Sequence, residues 1–206
     1  MTASQNPIRL PDHNPPPAEA SRRLIVWSVE DYLRLIETGA LTEHDKTELI
    51  DGHILYKVPS NKPHDTAISF LQDFFIERYF KKYTLRSERA IKLSDNSMPE
   101  PDYVVALYRE DNYRTDWPAA PDVLLLVEVS DSTLAYDRTD KMKRYAAAGI
   151  PEYWIINIPD HQVELHLTPD AETVAYADIS AHSTGETFTS LFAGEVAVDD
   201  VLPPQE

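Results

Sequence analysis

The stretch "PDVLLLVEVSDST", residues 121–133, decides the fold class of this 206-residue chain. Its five apolar residues, 123–127, are typical of a strand buried in the middle of a sheet. Glu128 follows them directly, and an ionised carboxylate is costly to remove from water unless a cation compensates it. The sequence therefore predicts either a cationic partner for Glu128 or a strand end that opens into a site.

Helices and strands are predicted upstream of this segment. Ser28 has the chemistry of an N-cap for a helix over "VEDYLRLIE", and the Asp-Gly pair at 51–52 inside "ELIDGHILYKV" indicates a hairpin. Apolar residues at helical spacing predict a long buried helix over "DTAISFLQDFFIERYF", which His64 precedes. "YTLRSERAIKL" and "EPDYVVAL" are the next two predicted strands.

Downstream, a helix is predicted from near Asp137 to Gly149, followed by the buried strand "EYWIINI". Beyond Gln162, the runs "VELHL", "TVAYADI" and "FTSLF" predict short strands in an acidic ending. This order of elements predicts a single mixed α/β domain over residues 24–206. Residues 1–23 are rich in proline and polar groups and predict a disordered arm.

The composition excludes several classes of protein. A hydrophobic share of 42% fits a globular domain, and the absence of cysteine excludes disulfides, thiolate chemistry and cysteine-built metal centres. No apolar run has the length of a signal-peptide core at the start or of a membrane span elsewhere, so we expect a cytoplasmic protein.

The net charge of −16 argues against a general DNA-coating protein. The charge is uneven, because 11 of the 35 acidic residues follow Arg144 and no Lys or Arg does. Two stretches before that point are locally basic, "RYFKKYTLRSERAIK" at 78–92 and "RTDKMKR" at 138–144. A focused phosphate-binding site therefore stays compatible with the sequence.

Two carboxylates on neighbouring predicted strands form the main chemical candidate. Asp102 lies at the start of "DYVVAL" and Glu128 near the end of "LLLVEVS", a pair suited to Mg²⁺ or Mn²⁺. Such an ion would compensate Glu128, lower the pKa of a bound water and stabilise charge on a phosphoryl oxygen. The alternatives are a simple turn role for Asp102 and an ion pair between Glu128 and Lys141 or Arg138.

Several motifs in order carry a family resemblance between residues 27 and 168. "PD" at 101–102, followed by a strand ending "EVS", resembles the PD-(D/E)xK nuclease superfamily. "ELIDG", a histidine at a helix start, "PEPDYVV", "LLVEVSDST" and "DRTDKMKRYAAAGIPEYWIIN" resemble the Uma-two family of restriction-endonuclease-like proteins. The resemblance implies a restriction-endonuclease-like mixed β-sheet core flanked by helices, with additional C-terminal strands.

The resemblance also implies a reaction and its residues. Mg²⁺ or Mn²⁺ would be held by Asp102, Glu128 and the Val129 carbonyl, and a water activated there would attack a DNA phosphodiester. The superfamily lysine expected two residues after the glutamate is replaced by Ser130. The resemblance places a lysine on the following helix instead, at Lys141.

Further candidates follow from the same resemblance. Glu48 would be another acid near the metal, His64 a substrate-contacting pocket residue, and Ser130 and Tyr145 further substrate contacts. Lys141 and Tyr145 share one helical face at i and i+4. The alternatives are a surface acid for Glu48, a capping or exposed residue for His64, and core packing for the Tyr145 ring.

Three functions stay open at this point. The first is a Mg²⁺-dependent endonuclease acting on DNA. The second is a catalytically inactive nuclease-fold protein that acts as a binding module, favoured by the missing strand lysine and the acidity. The third is a hydrolase for a small phosphorylated compound. Metal binding distinguishes the endonuclease from the binding module, and a substrate screen distinguishes the endonuclease from the small-molecule hydrolase. We also expect weak or restricted cutting of arbitrary DNA, and a homodimer formed through the tail beyond residue 162.

Overall fold

The computed structural model describes residues 24–42 and 44–204. They divide into two units: residues 24–57 (without 43) with 94–99, and residues 58–93 with 100–204. The predicted disordered arm, residues 1–23, lies outside the described residues. The single domain expected over residues 24–206 stays a prediction.

The first unit carries a helix and a hairpin. These elements are α1 (Val29–Glu37), β1 (Thr47–Ile50) and β2 (His53–Tyr56). Ser28 caps α1 as predicted, because its hydroxyl accepts a hydrogen bond from the Asp31 N–H at 3.0 Å. The predicted turn also forms, with φ of 49° at Asp51 and 75° at Gly52. A side chain at Gly52 would collide with Val26, so this position requires glycine.

A mixed six-stranded sheet forms the centre of the second unit in its described residues. Its spatial order is β3 (Thr84–Ser87), β4 (Tyr103–Ala106), β5 (Val123–Ser130), β6 (Glu152–Asn157), β7 (Gln162–Asp170) and β8 (Ala175–Ser183). Neighbouring strands are antiparallel except β5 and β6, which are parallel. A separate antiparallel pair follows: β9 (Thr187–Ser190) and β10 (Gly194–Ala197).

Helices lie on both faces of this sheet. They are α2 (Lys62–Tyr79), α3 (Leu134–Tyr136), α4 (Met142–Ala147) and α5 (Val198–Val201). The predicted mixed α/β fold, with its sheet flanked by helices and its additional C-terminal strands, is confirmed. Within the described ranges, no helix combines the length and the apolar character that crossing a membrane requires.

The start of α2 differs from the prediction. His64 does not precede the helix but belongs to its first turn, because α2 begins at Lys62. The Asn61 side chain caps the helix by accepting a hydrogen bond from the His64 N–H at 3.1 Å. Pro63 fits this first turn, where a backbone N–H would have no partner inside the helix.

The connection between β5 and β6 also differs from the single helix predicted there. Asp137–Lys141 forms a π turn with i→i+5 hydrogen bonding, and it separates α3 from α4. The first two predicted short strands of the tail are likewise wrong in length, since β7 and β8 have nine residues each, whereas "FTSLF" overlaps the short strand β9. Both extend because β7 pairs along β6 and β8 pairs along β7.

Alternation along β5 divides the core into two faces. Val127 and Val129 pack on the face covered by α2, together with Phe75 and Trp154. Leu126 packs on the opposite face, covered by α4. By the same alternation, the Glu128 side chain points to the α4 face, at the end of the strand.

Candidate active site

The pairing of β4 with β5 brings two carboxylates side by side. Tyr103 lies opposite Val127 in the antiparallel register, so Asp102 and Glu128 form the next opposed positions, with their side chains on one face. Asp102 Oδ2 accepts a hydrogen bond from the Val129 N–H at 2.7 Å. This bond holds the Asp102 carboxylate against the end of β5.

The oxygen atoms at this strand end fit a hard divalent ion. In an extended strand the N–H and C=O of one residue point to the same side, so the Val129 carbonyl faces the side where Asp102 lies. Carboxylates of Asp102 and Glu128 with this carbonyl are the ligand type of Mg²⁺, which commonly keeps several waters. Within residues 24–42 and 44–204, no group of three or more His, Cys, Asp or Glu side chains could hold a metal. The fit therefore rests on two carboxylates and a backbone oxygen.

Two side chains from the connection after β5 bind the Glu128 carboxylate. Lys141 Nζ lies 3.0 Å from Oε2, and the Tyr145 hydroxyl donates to Oε1 at 2.6 Å. Burial raises the pKa of Glu128 well above its ordinary value, while the Lys141 charge opposes this shift. The ion pair considered as an alternative for Glu128 is thus present, within the candidate site itself.

Asp137 is a buried member of the site that the sequence reasoning missed. The sequence places it only near the start of a predicted helix, yet it is 1% exposed. The hydroxyls of Ser130 and Thr133 each donate to its Oδ2 at 2.7 Å. Its Oδ1 lies 3.6 Å from Lys141 Nζ, so the ammonium lies between Asp137 and Glu128. The i, i+4 spacing of Asp137 and Lys141, after the hydroxyl residues Ser130 and Thr133, was the available signal.

The π turn determines where this lysine lies. Asp137 is its first residue and Lys141 its last, directly before α4. Such turns insert an extra residue into a helical path and often occur at functional sites. Lys141, at the end of the turn, and Tyr145, four residues later on α4, bind the same Glu128 carboxylate.

His64 reaches the site from the first turn of α2. Its Nε2 lies 3.3 Å from Asp102 Oδ1. This hydrogen-bonding contact with Asp102 raises the pKa of His64 against the opposing effect of burial. Burial acts to raise the pKa of Asp102, but His64, the Lys141 charge and the Val129 N–H together lower it below its ordinary value. Asp102 is therefore ionised at neutral pH.

The structure brings together most of the predicted site residues. Those that meet at the ends of β4 and β5 are Asp102, Glu128, Val129, Lys141, Tyr145 and His64. Ser130 is fully buried, and its hydroxyl binds Asp137. Arg138, the other cation considered for Glu128, instead pairs with Glu164. Glu48 is buried on β1 in the first unit, and its role near a metal stays a prediction.

Comparisons with known proteins agree with this architecture. The family model described as "Uma2: Putative restriction endonuclease" matches residues 29–199. A similar solved structure is described as a putative nuclease belonging to DUF820 from Anabaena variabilis ATCC 29413. It shares 14% sequence identity and a TM-score of 0.62, covering 84% of this chain and 96% of that chain, which shows a common fold. No curated protein matches the chain.

Proposed function

Since the chain belongs to the Uma2 putative restriction endonuclease family, we propose that it is a Mg²⁺- or Mn²⁺-dependent endonuclease that hydrolyses DNA phosphodiester bonds. One observation carries the proposal: two carboxylates, Asp102 and Glu128, lie on neighbouring strand ends with the Lys141 ammonium 3.0 Å from Glu128. This arrangement corresponds to the acid, acid and lysine of the PD-(D/E)xK superfamily, with the lysine supplied by the π turn after β5.

The metal ligands in this proposal are Asp102, Glu128 and the Val129 carbonyl. A divalent ion bound there supplies a water of lowered pKa and stabilises charge on the phosphoryl oxygen. Asp102 is suited to this role because its pKa is held below the ordinary value, which keeps it ionised. The charge of a bound ion would stabilise the ionised form of Glu128 most, because Lys141 is otherwise the chief compensation for its burial.

Lys141 and His64 would act on the substrate. The Lys141 ammonium, held between Glu128 and Asp137, would orient the attacking water and stabilise negative charge on the phosphate as it develops. His64 has a raised pKa and a side chain that is 15% exposed, so it would donate a hydrogen bond to a phosphate oxygen. Ser130 and Tyr145 would serve the reaction by holding Asp137 and Glu128 in place.

A second candidate function is a catalytically inactive nuclease-fold protein that acts as a binding module. The Glu128–Lys141 ion pair favours it, because this pair compensates the buried carboxylate without any metal. The two functions differ in metal binding. An endonuclease must bind Mn²⁺ through Asp102 and Glu128, whereas a binding module would bind none at this position.

Plasmid nicking in Mg²⁺ or Mn²⁺ tests the proposal, with Mn²⁺ binding followed by calorimetry. Glu128→Gln and Lys141→Ala should both abolish nicking, and Glu128→Gln should also abolish Mn²⁺ binding. Matched controls are Glu195→Gln and Lys143→Ala, which change exposed residues and should retain both properties. Nicking that survives Glu128→Gln would refute the assigned site. Absence of both nicking and Mn²⁺ binding in the wild type would favour the binding module.

A further inference from the structure

Two arginines of the basic stretch 78–92, Arg86 and Arg89, have no carboxylate partner in the part of the chain that the structure describes. The described arginines that form ion pairs with acids are Arg34, Arg78, Arg109, Arg138 and Arg144. Arg86 and Arg89 have no such partner within the described residues, although the chain carries a net charge of −16. Arg114, likewise without an acidic partner within residues 24–42 and 44–204, lies exposed in the loop after β4. Arg86 and Arg89 are distinguished from Arg114 by their place in the fold.

Arg86 lies on the same face of the sheet as the carboxylate pair. It is opposite Val104 in the antiparallel register of β3 and β4, and Asp102 precedes Val104 by two residues on β4. Arg86 and Asp102 are therefore diagonal neighbours, about 7–8 Å apart at their Cα atoms. An arginine side chain spans that distance, which is comparable with the spacing of neighbouring phosphates along a nucleic-acid strand.

The environment of Arg86 suits an anion. Its Nε is buried and has no hydrogen-bond partner within the described residues. Burial lowers the pKa of Arg86, and the nearby charge of Arg89 lowers it further. Among the described residues, neither guanidinium forms an ion pair with an acid, so the two repel each other, and a phosphate that accepts hydrogen bonds from both removes this repulsion. Guanidinium groups also bind phosphate through two parallel N–H donors.

We propose that Arg86 and Arg89 bind a phosphate of the nucleic-acid strand next to the phosphate cleaved at Asp102 and Glu128. The proposal rests on the proposed function for its ligand, a phosphodiester strand. It assigns binding to residues on β3 and in the loop that follows it, outside the metal ligands. The two arginines would fix the register of the strand relative to the carboxylates.

Metal-free DNA binding tests this site without any cleavage. Fluorescence anisotropy in EDTA, over about 50–200 mM salt, would follow a short labelled duplex and its single strand. Arg86→Gln/Arg89→Gln should weaken binding at least about tenfold and make the slope of log K against log salt shallower by about 2. Arg78→Gln is the matched control, since Arg78 is already paired with Asp200 and should leave the slope unchanged.

Two further variants make the result decisive. Arg89 is exposed, so Arg89→Gln alone tests the site if changing the half-buried Arg86 impairs folding, with an expected slope change of about 1. Arg86→Lys/Arg89→Lys keeps both charges and should restore the slope while affinity stays reduced.

The outcomes separate this inference from the endonuclease proposal. If Arg86→Gln/Arg89→Gln weakened DNA binding no more than Arg78→Gln does, the phosphate site would be overturned. A wild-type protein that binds neither the duplex nor the single strand would overturn it as well. If the wild type nicks DNA but the double variant leaves the slope of log K against log salt unchanged, the phosphate site is overturned and the endonuclease proposal stands. Arginine-dependent binding without any nicking would support the site and count against the endonuclease.

Discussion

Replacing Lys141 by methionine removes the cation nearest to the buried Glu128 carboxylate. Lys141 Nζ lies 3.0 Å from Glu128 Oε2, and the two side chains are 14% and 2% exposed. Methionine retains most of the aliphatic length of lysine, so the change is mainly the loss of charge. Among the described residues, Glu128 would then keep the Tyr145 hydroxyl as its one side-chain partner.

The expected cost follows from the burial of this pair. Removing one partner of a buried ion pair costs about 3–5 kcal/mol, because the other charge stays buried. The Tyr145 hydrogen bond persists and Glu128 can take up a proton, so we expect the lower end, about 3 kcal/mol at neutral pH. This is a large fraction of the roughly 5–15 kcal/mol that stabilises a typical domain.

The same change should make stability depend on pH in a defined direction. Burial holds the pKa of folded Glu128 above its ordinary value of 4.5, and loss of Lys141 raises it further. Between the pKa of Glu128 in the unfolded chain and its higher pKa in the folded variant, the folded state binds more protons than the unfolded state. The free energy of unfolding therefore falls as pH rises through this range. The free energy of unfolding should fall by up to about 1.4 kcal/mol per pH unit in this range, so the variant loses least stability at the acidic end of the range.

Urea unfolding in EDTA at several pH values measures this effect. Lys143→Met changes an exposed lysine two positions away and should shift the free energy of unfolding by no more than about 0.5 kcal/mol. Lys141→Met/Glu128→Gln should recover most of the lost stability, because no buried charge remains unpaired. A loss below about 1 kcal/mol that is independent of pH would refute the compensation of Glu128 by Lys141.

Three other changes test the remaining geometry. Asp137→Asn should lower kcat for nicking about 10–100-fold with little change in KM, because Asp137 positions Lys141; an equal effect of Asp140→Asn, at an exposed acid, would contradict this role. Burial lowers the pKa of His166 to about 4, so this residue should contribute a loss of up to about 3 kcal/mol of stability as pH falls from 6.5 through 4. His166→Phe should remove that loss in urea unfolding, and an unchanged pH profile would show that His166 is not its source. Gly52→Ala should destabilise the protein by more than Gly39→Ala, for which we expect a cost of about 1 kcal/mol. Both positions have positive φ, but of the two only Gly52 would bring the added methyl group against a neighbouring side chain. Equal unfolding midpoints of the two variants would contradict this collision.

Local signals in the sequence predicted a large part of the fold. The apolar run of β5, the cap at Ser28 and the Asp51-Gly52 turn each depend on residues close together in the chain, and each is confirmed. The first turn of α2 was missed although its signal is local too. Asn61 and Pro63 are residues typical of a helix start, but the apolar pattern used to place the helix begins only after them.

Sequence order and residue type alone thus determined the mixed α/β class, the central strand with its carboxylate, and Asp102 and Glu128 as candidates, and the family resemblance added Lys141. Only the tertiary structure decided which atoms meet. The length of β7 depends on pairing with β6, and that of β8 on pairing with β7. The buried Asp137 is held from a distant strand, since the Tyr153 hydroxyl of β6 donates to its backbone carbonyl. The position of Arg86 beside Asp102 depends on the register of β3 against β4. Burial, charge compensation and register are properties of contacts between distant segments, and local propensity carries no information about them.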